Sequence, residues 1–174
     1  MHNLVIRHCE TKDIEVISTI YAEAVINGVA TFELEPPTVT EMLQRREWLL
    51  VNNYPYLVAE KAGQVVGYAY AGAFRARPAF HGTVEDSIYL NKEVRGQGIG
   101  KALLQQLIIE AELRNFRQMV AVIGDSANYP SLRLHASLGF KKVGTLQSVG
   151  WKHNRWLDTV LMQLALGEAD RTPY

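Results

Sequence analysis

The sequence predicts one mixed α/β domain of the α+β kind, a mostly antiparallel sheet flanked by helices, and three observations carry that prediction. Two stretches near the start repeat apolar residues at helical spacing. A pair of aromatic and β-branched runs then flanks a short glycine-containing turn, as in a β-hairpin. Further on, a strand-like run leads through a glycine-rich turn into a long helical stretch. At 174 residues the chain suits a single core, because a globular chain near this length buries roughly 70% of the surface its unfolded form exposes. The domain is taken as residues 1–166, with the tail "GEADRTPY" (167–174) expected to fray.

Residues 4–8, with Leu4, Val5 and Ile6, form a short strand on this reading. "TKDIEVISTIYAEAVING" offers Thr11 as N-cap, places Ile14, Ile17, Tyr21, Ala24 and Val25 on one helical face, and stops at Asn27-Gly28. In "PPTVTEML", Thr38 and Glu41 have capping-box spacing, so a second helix starts there. It draws apolar contacts from Met42, Trp48 and Leu49 and ends near Asn52-Asn53. "YLVAE" and "VVGYAYAGAF", joined by a turn at Lys61 to Gln64, are the hairpin. After a loop with Arg75, Arg77 and Pro78, "TVEDSIYL" is a strand, "VRGQGIGKALL" turns the chain, and "GKALLQQLIIEAELRN" is a helix. "QMVAVIG" is a strand, "YPSLRLHASLGF" a short helix opened by Pro130, and residues 141–166 supply two strands around "GWKHNRW".

Composition removes several function classes. Lys plus Arg number 18 and Asp plus Glu number 18, so no global field draws the chain to nucleic acid or to an anionic membrane. No basic run exceeds Arg45-Arg46 or Lys141-Lys142, so neither partner is expected and any anion site must be local. Cys9 is alone and cannot form an intramolecular disulfide, and "MHNLVIRHCE" lacks the flank and apolar run of a signal peptide, so a cytoplasmic location is expected. Nothing approaches the roughly 20 apolar residues that cross a bilayer. No metal is expected either, because His2, His8, His81, His135 and His153 form no short-spaced ligand pair with Cys or a carboxylate of the kind typical of zinc.

The turn at residues 94–104 carries the chemistry. A helix N-terminus presents unpaired N–H groups and a partial positive charge, and glycines let a ligand approach that backbone closely, so phosphate is the natural guest. The commonest phosphate loops do not fit. A P-loop needs Gly where Arg95 stands and Ser or Thr where Ala102 stands, and the dinucleotide fingerprint needs Gly where Lys101 stands. The segment alone leaves a different phosphate loop and a plain glycine turn both open.

Glu85 and Asp86 interrupt a β-favouring run, and a strand that tolerates carboxylates borders solvent or a cleft. Neighbours on a strand point to opposite faces, so the expectation is that only one of the two enters a given cleft. His135 reads either as a titrating group or as a packed, hydrogen-bonded histidine of a short amphipathic helix. Lys152, His153 and Trp156 form a polar and aromatic cluster that suits a site or a dimer contact equally.

Arg95-x-x-Gly98-x-Gly100 at a strand-to-helix turn resembles the acyl-CoA pyrophosphate loop of the GNAT superfamily of N-acetyltransferases. Further on, Asn128, Ser131, Leu134, Leu138, Gly139 and Phe140 resemble the second helix of that superfamily. Five segments are similar to its phosphinothricin and methionine sulfoximine acetyltransferase branch: "ATFELEPPT", "AFRARPAF", "TVEDSIYL", "SLRLHASLGF" and "GWKHNRWLD". The similarity spans residues 4–165.

The resemblance implies acetyl-CoA as cosubstrate, its diphosphate held by Arg95, Gly96, Gln97, Gly98, Ile99, Gly100 and Lys101. It implies backbone contacts to the pantetheine arm and oxyanion from Ile88, Tyr89 and Leu90, with Asn128 and Ser131 beside the CoA. Glu85 would be the general base. His135 stands where many relatives carry a tyrosine proton donor, and would be the second catalytic residue. Phe32 with Thr31, Arg75, Ala76, Arg77, Asp86 and Ser87 would bind a small amino acid analogue, since guanidinium forks match its anionic oxygens and argue against cationic acceptors. The activity implied is acetylation of the α-amino group of phosphinothricin, methionine sulfoximine or methionine sulfone by direct transfer in a ternary complex, in a homodimer. A GNAT acting on another amine and an acyl-CoA-binding sensor are the alternatives.

Overall fold

The computed structural model describes residues 4–173; His2 and Tyr174, named above, lie outside them. In chain order the elements are β1 (Leu4–His8), α1 (Ile14–Asn27), α2 (Val39–Val51), β2 (Tyr56–Lys61), β3 (Gln64–Ala73), β4 (Thr83–Leu90), α3 (Ile99–Leu113), β5 (Gln118–Gly124), α4 (Tyr129–Ser137), β6 (Lys141–Lys152) and β7 (Arg155–Ala165). The strands form one sheet in the order β1-β2-β3-β4-β5-β7-β6. Every neighbouring pair is antiparallel except β4 and β5.

That parallel pair is what makes room for a site. Its register runs only from Thr83 opposite Gln118 to Asp86 opposite Ala121. Beyond those residues β4 continues to Leu90 and β5 to Gly124 without pairing to each other, so a gap opens in the middle of the sheet.

The two faces of the sheet bury separate cores. On one face Val84, Ala69 and Met119 pack with Leu103, Leu104 and Leu107 of α3. On the other, Ile17, Tyr21 and Val25 of α1 and Met42 and Leu49 of α2 meet Tyr56, Val58 and Tyr68. The period-2 alternation of β4 therefore sends Val84 and Asp86 toward α3, and Glu85, Ser87 and Tyr89 toward α1 and α2. Tyr89 stands edge-on against Tyr21 there, ring centroids 5.0 Å apart.

Local signals explain the element ends. Thr38 and Glu41 form the expected capping box, Oγ1 of Thr38 accepting from the Glu41 N–H at 3.2 Å and the Glu41 carboxylate from the Thr38 N–H at 2.6 Å. Ala62 and Gly63 both have positive φ, which suits the two-residue primed turn of the β2–β3 hairpin. Thr11 is not the N-cap of α1. The chain instead makes a 3₁₀ turn from Thr11 to Asp13, and the Asp13 carboxylate accepts from the Glu10 N–H at 2.8 Å while pairing with Arg7. Trp48 makes its apolar contact by stacking on Tyr54, while remaining 54% exposed. The tail expected to fray is tethered: Arg117 donates to the Ala169 carbonyl at 3.4 Å and to Thr172 Oγ1 at 2.9 Å.

Candidate active site

The gap between β4 and β5 holds a cavity of about 250 Å³. Because it passes through the sheet rather than lying on one face, Glu85 and Asp86 both border it, although they leave β4 in opposite directions. The expectation that only one of them could enter is corrected by the splay of the strands. Ser87, Ile88 and Tyr89 continue the β4 wall, and Ala121 to Gly124 form the β5 wall. Past Asp86 the backbone of β4 has β3 on one side and no strand on the other, so the peptide groups facing the gap lack ladder partners.

Glu85 is half-buried, and its pKa is pushed up to about 7, first by burial and then by the adjacent Asp86, against a smaller downward pull from Arg75. A carboxyl held there exists in both protonation states near neutral pH, as a general base requires. Opposite Glu85 on β3 is Gly72, and two residues along Tyr70 hydrogen-bonds Ser87.

On the other side of the gap Asp86 meets His135, which is 2% exposed. The Nε2 of His135 is 3.0 Å from Asp86 Oδ2, and its Nδ1 is 2.8 Å from the Ser131 carbonyl oxygen. The Ser131 carbonyl is an acceptor and so is an ionised Asp86, so this pairing favours the doubly protonated ring. Burial opposes that charge, but Asp86 and the Ser131 carbonyl outweigh it and raise the His135 pKa. Asp86, placed among the substrate-binding residues by resemblance, is thus engaged by His135 through one oxygen. Its Oδ1 is buried with no hydrogen-bond partner. Asn128 also has a structural duty: its Oδ1 caps α4 by accepting from Ser131 N–H at 3.4 Å, and it lines the cavity from that position.

The segment between α1 and α2 brings Phe32 and Thr31 to the cavity, and the tip of the β6–β7 hairpin holds it there. Lys152 Nζ donates to the Thr31 carbonyl at 2.8 Å, and His153 Nε2 contacts the Gly28 carbonyl at 3.0 Å. Lys152 is buried, and desolvation lowers its pKa. The cluster left open between site and dimer contact therefore divides. Lys152 and His153 fasten the site's loop, whereas Trp156 is exposed and stands edge-on to Trp151.

Two glycines to which the sequence reading gave no role make this arrangement fit. A Cβ on Gly150 would stand inside the Phe32 ring, and one on Gly124 would meet the Val29 carbonyl oxygen. Tyr21 and Tyr70 also line the cavity. An isolated glycine within a strand pattern is a sign of close approach, and that sign was present in "VIGD" and "SVGW". The tyrosines carried no such sign, being indistinguishable from core aromatics.

The glycine loop opens α3. Gly98 is its N-cap with φ 81°, Gly96 has φ 77°, and nothing lies within 4 Å of where a Cβ of either would be. Open space above a left-handed, donor-rich backbone fits a diphosphate. Arg95, Gln97 and Lys101 are exposed around the loop. Gly100 and Ile99 are buried instead: a Cβ on Gly100 would meet Leu90 at 3.3 Å, so that glycine serves packing of α3 on β4. Arg75, Ala76 and Arg77 are exposed on the loop before β4 and are not part of the cavity wall. The guanidinium of Arg75 lies 5.0 Å over the Phe74 ring.

Comparison with known proteins gives this geometry a family. Residues 19–140 match the Acetyltransferase (GNAT) family. The chain is 47% identical over 167 residues to a phosphinothricin N-acetyltransferase of Alcaligenes faecalis, covering 96% of this chain and 85% of the relative. It is 40% identical over 172 residues to an L-methionine sulfoximine/L-methionine sulfone acetyltransferase of Pseudomonas paraeruginosa, covering 97% and 98%. Among solved structures, a GNAT superfamily phosphinothricin acetyltransferase from Sinorhizobium meliloti in complex with AcCoA superposes with TM-score 0.95 at 48% identity, over 98% of this chain and 92% of that one. The family these comparisons share is the one that the gap and the glycine loop suit, and the chain belongs to it as an acetyl-CoA-dependent N-acetyltransferase of the GNAT family.

Proposed function

We propose that the protein acetylates the α-amino group of a small amino acid analogue such as phosphinothricin, methionine sulfoximine or methionine sulfone, by direct transfer in a ternary complex. The observation that carries this reading is Glu85, a half-buried carboxyl with a pKa of about 7 at the edge of the gap. The names of the relatives support the choice of acceptor.

Acetyl-CoA supplies the acetyl group as a thioester. The loop of Gly96 and Gly98 with Arg95, Gln97 and Lys101 holds its diphosphate, and the unpaired edge of β4 at Ile88, Tyr89 and Leu90 offers backbone groups to the pantetheine arm and the developing oxyanion. Asn128 and Ser131 line the same gap. Glu85 takes the proton from the ammonium of the acceptor, directly or through one water, which frees the lone pair for attack on the thioester carbonyl; the C–S bond then breaks, and CoA leaves as the thiol with the second proton the nitrogen sheds. His135 acts through charge: its imidazolium anchors Asp86, whose carboxylate helps hold Glu85 near neutrality. Arg75 and Arg77, with Ala76 between them, meet the acceptor's anionic group from the loop, and Arg75 is near enough to act on Glu85. Phe32, Ser87 and Asp86 shape the pocket. A covalent acetyl-cysteine is disfavoured because Cys9 sits in the core beneath α1 and α2, with its thiol pKa pushed up to about 11 by burial.

Two further features complete the reading. The edge strand β6 exposes Val143, Leu146, Val149 and Trp151 together with Trp156 of β7, an apolar surface that a second copy would cover in a homodimer. A balanced charge and a lone reduced thiol suit a cytoplasmic enzyme with no nucleic-acid or membrane partner, and among the described residues no helix is long and apolar enough to cross a membrane.

The test is release of CoA thiol from acetyl-CoA with phosphinothricin, methionine sulfoximine, methionine sulfone and spermidine side by side. Turnover with the amino acid analogues is the expected result. Turnover with spermidine alone would move the acceptor class to polyamines. Acetyl-CoA binding without turnover of any amine would leave a sensor.

A further inference from the structure

A second cavity, of about 500 Å³, lies under α2 and is not used by the reaction just described. Its floor is Tyr56, Tyr68 and Tyr70 of the sheet, its roof Met42 and Leu49, and Gln44, Arg45 and Trp48 stand around it on α2. We propose that this compartment receives the side chain of the acceptor, and that the occupant it fits best is the ring of an aromatic α-amino acid. The proposal rests on the reading that the acceptor amine sits at Glu85.

Three observations point to that occupant. First, the compartment adjoins the catalytic gap, since Tyr21 and Tyr70 line both. Second, it begins beside the base. Gly72 is the cross-strand partner of Glu85, and Leu49 of the roof comes so close that a Cβ on Gly72 would lie 3.3 Å from its Cδ2. An amino acid with its amine at Glu85 therefore has the compartment within reach on the same face of the sheet. Third, the walls suit a ring. Tyr68 stacks against Tyr56 and Tyr70 with centroids 5.9 and 6.4 Å apart, and aromatic walls favour an aromatic guest through offset and edge contacts.

One polar feature marks this compartment as more than loose packing. Tyr68 is fully buried, yet its hydroxyl has no hydrogen-bond partner, and a buried hydroxyl is nearly always paired in a finished core. Arg45 at the compartment is already held by Glu33 at 2.6 Å, and Glu33 accepts from Tyr21 at 2.9 Å, so the charged groups are neutralised and the interior favours an uncharged side chain.

The test compares L-phenylalanine with L-methionine sulfone as acceptors for the parent, for Met42→Trp, which fills the compartment, and for Gln44→Trp, which narrows its rim from an exposed position. Calorimetric titration of L-phenylalanine in the presence of CoA is run on the same three proteins. The parent should acetylate both amines, and the ratio of kcat/KM for phenylalanine over methionine sulfone should fall roughly tenfold or more in each variant. If Met42→Trp does not fold, the rim variant decides. An unchanged ratio, or a parent that acetylates methionine sulfone and not phenylalanine, overturns the subsite. Should neither amine turn over, the proposed reaction fails, and the titration alone then judges the compartment: phenylalanine binding weakened in the variants keeps it, and no binding in the parent ends it.

Discussion

Burial and Asp86 hold the Glu85 carboxyl near neutrality, and the shift acts on rate and on stability in opposite senses. The base works when deprotonated, so kcat/KM should rise with pH through a midpoint near 7 and level off above it. In Glu85→Gln that limb should disappear, with turnover lower by about 10² to 10⁴ and acetyl-CoA binding retained. Stability runs the other way. The native carboxyl binds its proton more tightly than the unfolded one, whose pKa is about 4.5, so the fold loses stability as pH climbs from about 4.5 through 7. Calorimetry should find Glu85→Gln melting above the parent at pH 8, with the difference gone at pH 4. Gly150 tests a neighbouring residue. The Phe32 ring occupies the space a side chain would need, so Gly150→Ala should displace the ring and raise KM for the acceptor while sparing that for acetyl-CoA in steady-state kinetics.

At the scale of elements, the start of α3 decides cofactor binding. Gly98 caps the helix in the left-handed region, which a β-branched residue adopts only with strain, and its side chain would also enter the open space above the loop. Gly98→Val should abolish measurable acetyl-CoA binding in calorimetry, while circular dichroism still reports a folded protein. The helix and strand ends themselves were mostly legible, because capping boxes and primed turns are local: Thr38 with Glu41 and the turn at Ala62-Gly63 needed no knowledge of the rest of the chain. The start of α1 was misplaced for a reason of the same kind in reverse. Thr11 was the better intrinsic cap, but Asp13 turned back to the Glu10 N–H and paired with Arg7, a residue on β1 that no local pattern ties to it.

For the whole molecule, the exposed apolar edge formed by β6 and Trp156 predicts a dimer, since a long edge strand bearing Val143, Leu146, Val149 and Trp151 is an aggregation hazard unless covered. Light scattering after gel filtration should give twice the chain mass for the parent and the single-chain mass for Val149→Asp. The sequence by itself determined the class of fold, the capping box of α2, the glycine loop and the acidic pair on β4, because each depends on periodicity or on residues a few positions apart. Only the tertiary structure decided that β4 and β5 part after Asp86, letting one gap take residues from both faces of the sheet. It alone gave Asp86 to His135 across 49 positions and Thr31 to Lys152 across 121. Contacts at such separations are fixed by how the elements stack, and stacking leaves no period in the chain to read.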